Sequence, residues 1–137
     1  MPQMGVNQEK MANLDGVWNT KGDKYAVASS SGNVYVGQYY ADNNFWVAHS
    51  VTKKPLHKAS VVCVRFDPQS GRVVASASLD GSVVITSAYR EDLDAGSTAG
   101  PFGKVSSFGE CLLSISSPVW INGLAFSYDS KVLSYVS

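Results

Sequence analysis

Short apolar runs rich in β-branched residues, each ended by a polar turn, recur along this chain. The central run reads Val61-Val62-Cys63-Val64-Arg65-Phe66, and Asp67-Pro68-Gln69-Ser70-Gly71 follows it. The apolar character resumes as Val73-Val74-Ala75-Ser76-Ala77-Ser78, and Leu79-Asp80-Gly81 separates this from Ser82-Val83-Val84-Ile85. Runs of this length, joined by Asp-Pro-x-x-Gly and Asp-Gly, predict three successive antiparallel strands. Pro68 has no N–H to give to a ladder and stands where a turn needs it.

The pattern repeats. Sliding the chain along itself without gaps aligns Trp18, Phe66 and Phe126, at spacings of 48 and 60 residues. Seven residues after each aromatic a second run begins: Tyr25 to Ser29, Val73 to Ala77, and Leu133 to Ser137. Asn33-Val34-Tyr35-Val36 and Val83-Val84-Ile85 supply a third strand in the first two copies; the third copy stops before one. Phe45-Trp46-Val47 is expected to form an outer, fourth strand. Units of about 40 to 45 residues with four short strands each belong to β-propeller blades, in which neighbours cover the apolar faces that one small sheet cannot cover alone. An immunoglobulin-like sandwich also has short strands and regular turns, but it does not repeat aromatic, polar turn and small-residue strand. The expectation is therefore an all-β propeller fragment of about two and a half four-stranded blades. They are placed at about 14–50, 51–90 and 111–137, with an insert loop at 91–110 and a polar extension at 1–13.

Composition and charge narrow the partners. Eleven Lys and Arg balance eleven Asp and Glu, which argues against a nucleic-acid partner held by bulk charge. Ser, Gly or a charge interrupts every apolar run before the roughly 20 residues that a membrane span needs. The polar start, Met1 to Lys10, does not read as a signal peptide. Cys63 and Cys111, far apart in sequence, are expected to be reduced thiols of a cytosolic protein and not a zinc site. Ser29-Ser30-Ser31-Gly32 lacks the lysine and following helix of a phosphate loop, His49 has no second ligand at metal spacing, and no cofactor is implied.

The second copy resembles a WD repeat: His57, Phe66, Asp67-Pro68, Ala75-Ser76-Ala77-Ser78 and Asp80-Gly81 stand in that family's order. The resemblance implies a hydrogen-bonded network of His57, Ser76 and Asp80 that knits the blade, with Thr86 in the place of the family's tryptophan. Ser, His and Asp together also invite a hydrolase reading. Ser76 lies mid-strand among small residues with no nucleophile elbow, so an internal network is the expected role.

The likeness extends below that family. Asn43-Asn44-Phe45-Trp46-Val47, Lys53-Lys54-Pro55, Ser87-Ala88-Tyr89, Gly100-Pro101-Phe102-Gly103-Lys104, Ser107-Phe108-Gly109-Glu110 and Val119-Trp120-Ile121-Asn122-Gly123-Leu124-Ala125-Phe126-Ser127 follow one another. In this order they resemble the WD-repeat subunits of the actin-related protein 2/3 complex, over about residues 16 to 137. The resemblance implies a non-enzymatic structural and binding subunit of the cytoplasm and cytoskeleton. Its implied partners are the other subunits of that complex, the actin filament and acidic nucleation-promoting factors. Family propellers have seven blades, so this chain corresponds to roughly a third of a ring. An unrelated WD-repeat adaptor is the alternative; a propeller enzyme would need inward polar residues that the copies lack.

Two segments are candidate partner surfaces. The insert carries Glu91, Asp92, Asp94 and Glu110 against Lys104, and in it Phe102 and Phe108 either fold back on the blade or meet a partner. The stretch from Val51 to Arg72 carries Lys53, Lys54, Lys58, Arg65 and Arg72 against Asp67. Its lysines either solvate strand edges or attract an acidic partner. Trp18, Trp46, Tyr89 and Trp120 are expected in the core or between blades.

Overall fold

The computed structural model describes residues 13–40, 44–51, 56–89, 108–118, 121, 123–127 and 132–136. Ten strands follow in order: β1 Asn13–Trp18, β2 Lys24–Ser29, β3 Val34–Tyr40, β4 Phe45–Ser50, β5 Val61–Phe66, β6 Val73–Ser78, β7 Ser82–Ser87, β8 Cys111–Ser116, β9 Gly123–Phe126 and β10 Leu133–Val136. They form two four-stranded antiparallel meanders, β1-β2-β3-β4 and β5-β6-β7-β8, and the hairpin β9–β10. This is the arrangement of two propeller blades and the start of a third.

The hairpins repeat in detail. Ala28 pairs with Val34 and Ala77 with Val83, and the turns close through Gly32 N–H to Ser29 O and Gly81 N–H to Ser78 O. Gly32 has φ +89°, and a Cβ there would collide with the His57 carbonyl oxygen, so the left-handed turn also lets the two sheets approach. The strand pairs correct the gap-free alignment. Trp18 faces Tyr25 and Phe66 faces Val74, so Tyr25 corresponds to Val74 and not to Val73. The extra residue lies in the turn between Phe66 and Val73. Because side chains alternate across a strand, this one-residue slip exchanges the two faces of β2 in the comparison.

The third blade also begins later than position 111. Cys111–Ser116 pairs antiparallel with β7, with Ser82 opposite Ser116 and Ile85 opposite Leu113. Gly109 N–H donates to Ser87 O, and Ser87 N–H to Glu110 O. The outer backbone of β7 needs partners, and the chain beyond the insert supplies them. The second sheet thus takes its fourth strand from across the insert.

Small residues set the distance between sheets. Ala26, Ala28, Val34 and Val36 of the first sheet meet Val61, Val64, Phe66 and Val74 of the second, and all are buried. On the far face of the second sheet, Cys63, Val73, Ala75, Ala77, Val83 and Ile85 pack with Ile121 and Leu124 of the third unit. Each layer covers its neighbour, and contacts run between adjacent units as in repeat architectures.

Candidate functional site

His57 lies just ahead of β5 and is held from behind, its N–H donating to Gly32 O at 2.9 Å. The imidazole is buried. Its Nε2 lies 2.8 Å from Ser76 Oγ and its Nδ1 2.6 Å from Ser82 Oγ. Asp80 Oδ1 is 3.8 Å from Nδ1, beyond hydrogen-bond reach; Ser82 bridges them, its hydroxyl donating to Asp80. Asp80 also accepts the N–H groups of Lys58 and Ser82, each at 2.8 Å. The structure thus brings His57, Ser76 and Asp80 together, with Ser82 as a fourth member that sequence reasoning missed. A serine two residues after an aspartate in an Asp-Gly turn is the signal, since such aspartates cap nearby N–H and O–H donors.

Proton counting explains how the network is poised. Ser76 Oγ lies 3.3 Å from Val84 O, which can only accept, and Ser82 donates to the Asp80 carboxylate. A neutral imidazole has one proton for two serine oxygens, so either the His57–Ser82 or the Ser76–Val84 contact depends on which ring nitrogen carries it. Burial pushes the His57 pKa down, against the opposing pull of the Asp80 charge. Burial pushes the Asp80 carboxyl up, but hydrogen bonds from the Ser82 hydroxyl, Lys58 N–H and Ser82 N–H, with His57 close by, hold it at about 2. Ser76 is inaccessible to solvent, so the geometry is that of an internal brace between β6, its turn and the lead-in to β5. Thr86 is also buried, and among the described residues its hydroxyl has no hydrogen-bond partner.

The candidate partner residues fare differently. Lys53, Lys54 and Phe102 lie outside the described residues, as does Trp120. Lys58 is exposed. Arg65 is engaged by Asp15, Nη1 to Oδ2 at 2.7 Å, which takes it out of the basic stretch. Phe108 is half-buried and packs against the core between the first two sheets. Gly109 beside it has φ +84°, and a Cβ there would strike the Val51 carbonyl oxygen. The end of the insert is thereby seated between blades, Phe108 inward.

Two features were not anticipated. Lys24 is fully buried at the sheet junction, and its Nζ donates to Gly71 O at 3.0 Å and Ala88 O at 2.8 Å. A lysine opening a strand gives no hint of this from sequence, because the acceptors come from 47 and 64 positions away. The second feature is aromatic. Trp18 and Trp46 stand edge to face with centroids 5.2 Å apart, Tyr25 and Tyr39 flank Trp46, and the Tyr25 ring lies over Gly37. Trp18 was expected in the core but is 59% exposed. Its face of the first sheet is opposite to the one that packs on the second, so no described strand lies over it.

Among the described residues no group of three or more His, Cys, Asp or Glu could hold a metal, and no helix is long and apolar enough to cross a membrane. Burial pushes the Cys63 thiol up despite nearby Arg65, which disfavours its reactive thiolate form.

No protein-family model matches the chain. It is 28% identical over 137 residues, 99% of its length, to Actin-related protein 2/3 complex subunit 1A of Arabidopsis thaliana, and equally to subunit 1B of that plant. The chain spans about a third of these relatives, 35% of their length. Among solved structures, a chain of the mitotic checkpoint complex superposes with a TM-score of 0.61 at 16% identity, over 94% of this chain and 32% of the other. That likeness concerns the fold. The chain thus has an all-β fold built of propeller-type blades, and it is similar along nearly its whole length to part of those two subunits.

Proposed function

We propose that this chain is a structural and binding portion of a WD-repeat subunit of the actin-related protein 2/3 complex. In this reading it contacts the other subunits and, through them, supports nucleation of branched actin filaments in the cytoplasmic cytoskeleton. The observation that carries the reading is the continuous similarity to subunits 1A and 1B over 99% of the chain. The proposed role is non-enzymatic: among the described residues, the Ser76, His57 and Asp80 constellation braces a blade, with its serine sealed from solvent. Exposed Lys58, together with Lys53 and Lys54, is the proposed landing site for the acidic segment of a nucleation-promoting factor or for actin. Phe108 serves to seat the insert, and Phe102 is the aromatic proposed to reach a partner.

A graft tests this reading. Replacing the matched segment of Arabidopsis subunit 1A by these 137 residues should leave a complex that assembles and nucleates branches. In that complex Lys53→Glu with Lys54→Glu should weaken an acidic activator peptide several-fold, more so at low salt. A graft that folds yet fails to co-purify with the actin-related proteins would favour an unrelated WD-repeat scaffold.

A further inference from the structure

Backbone hydrogen bonds align the three units residue by residue. The amide after each closing aromatic, of Asn19, Asp67 and Ser127, donates to the carbonyl that opens the next run, of Lys24, Val73 and Val132. The aromatics Trp18, Phe66 and Phe126 pair across their hairpins with Tyr25, Val74 and Leu133. Each unit therefore has an incoming face, which carries its aromatic, and a receiving face. The receiving face carries Lys24, Val73 or Val132 and, two residues on, Ala26, Ala75 or Ser134. The two kinds of face meet twice within the chain. Phe66 is buried in one cluster with Ala26 and Ala28, and Lys24 reaches across that junction to Gly71 O and Ala88 O. Phe126 packs against the cluster that holds Val73 and Ala75. One face of each kind is left over. Trp18 is 59% exposed although Phe66 is buried, and Val132 is 57% exposed although Lys24 and Val73 are buried. Ala125 and Ser134, paired with each other in the same hairpin as Val132, are exposed as well.

We propose that the two leftover faces fit each other: a second copy of this chain seats its Trp18 face on the Val132 and Ser134 face of the first, head to tail. The contact continues the one already made twice. At both junctions the incoming inner strand lies against the first two strands of the receiving unit, β5 against β1 and β2, and β9 against β5 and β6. The hairpin β9–β10 is the counterpart of those two strands, so it offers the seat that an incoming β1 needs. Trp18 is held edge to face by Tyr25 and Trp46, which presents the indole in one orientation, as an anchor residue requires. The new junction buries no charge at the equivalent positions. Val132 replaces Lys24, and Gly123 and Val17 stand where Asp15 and Arg65 form the ion pair of the first junction. Because the surfaces differ, the contact is heterologous, and association continues copy by copy until it closes on itself. The inference rests on the fold and not on the proposed function.

Sedimentation velocity on the 137-residue chain tests it. The wild-type chain should associate beyond the dimer as its concentration rises through the micromolar range. Trp18→Arg and Val132→Arg, one on each face, should each weaken association about tenfold or more. Far-UV spectrum and melt should stay unchanged, because both side chains are exposed. Mixed in equal amounts, the two variants should form a dimer that grows no further, since the intact receiving face of the Trp18 variant still meets the intact incoming face of the Val132 variant. A monomeric wild type overturns the proposal, whatever segment then covers Trp18. So does a mixture that stays monomeric, undiminished association of either variant, or a Val132 variant that dimerises alone, as a Trp18 face pairing with its own kind would require. Should Trp18→Arg fail to fold, Trp18→Gln takes its place in the mixture under the same criteria.

Discussion

At the scale of single residues, the junction between the first two sheets depends on polar groups that apolar surroundings make expensive to disturb. Lys24 reaches two carbonyls of the second sheet from full burial. Lys24→Met keeps the shape and strands both acceptors, and is expected to cost about 1–3 kcal/mol, read as a lower urea midpoint at constant slope. His57 and Asp80 set the acid response. The native His57 pKa lies below 6.5, so as pH falls below 6.5 the unfolded chain binds the proton first and stability drops until the native ring is also charged. Asp80, held at about 2 against an ordinary 3.8, adds stability above 3.8 that disappears between 3.8 and about 2. Melting temperature followed against pH should therefore fall in two steps on acidification. His57→Gln should remove the upper step and leave the lower one.

At the scale of elements, hairpin turns act as inter-sheet spacers. Gly32 and Gly109 both combine a left-handed backbone with close approach to a carbonyl of another segment, His57 and Val51 respectively. Gly32→Ala and Gly109→Ala are each expected to destabilise by about 1–3 kcal/mol. Gly22, with φ +75° and nothing within 4 Å of a built Cβ, should cost less when changed to Ala. Thermal melts of the three variants check the order. Strand β8 shows why the insert matters to the fold: it returns the chain to the outer edge of β7, and Phe108 with Gly109 anchors that return.

At the scale of the whole molecule, the repeating sheets have two differently finished sides. The first sheet meets the second through small aliphatic residues and carries Trp18, Tyr25, Tyr39 and Trp46 on its other face. At the other end, Val132 is 57% and Tyr135 42% exposed, and β10 has no described strand on its outer side. Uncharged strand edges with exposed apolar side chains template pairing with other chains. The isolated chain should accordingly self-associate in the micromolar range of light-scattering assays. Val132→Glu with Tyr135→Lys should reduce that scattering without shifting the melt, because neither side chain belongs to the buried core.

Much of this organisation was legible in one dimension. β-branched runs closed by Asp-Gly and Asp-Pro turns act locally, so the strands, their hairpins and the repeat could be read directly, and with them the propeller class. The His57, Ser76 and Asp80 grouping was also readable, since its members fall at family spacing within one repeat. Other features depend on what distant segments bring. A one-residue difference in turn length between the copies shifts which residues of β2 and β6 correspond, and only the strand pairing reveals it. The attachment of β8 to the second sheet, the burial of Lys24 and the pairing of Asp15 with Arg65 all join distant parts of the chain, and the exposure of Trp18 follows from there being no described strand over its face. Local propensity specifies which strands form; which amide, carbonyl or ring each side chain meets is set by how the sheets stack, and that energy exists only once they have packed.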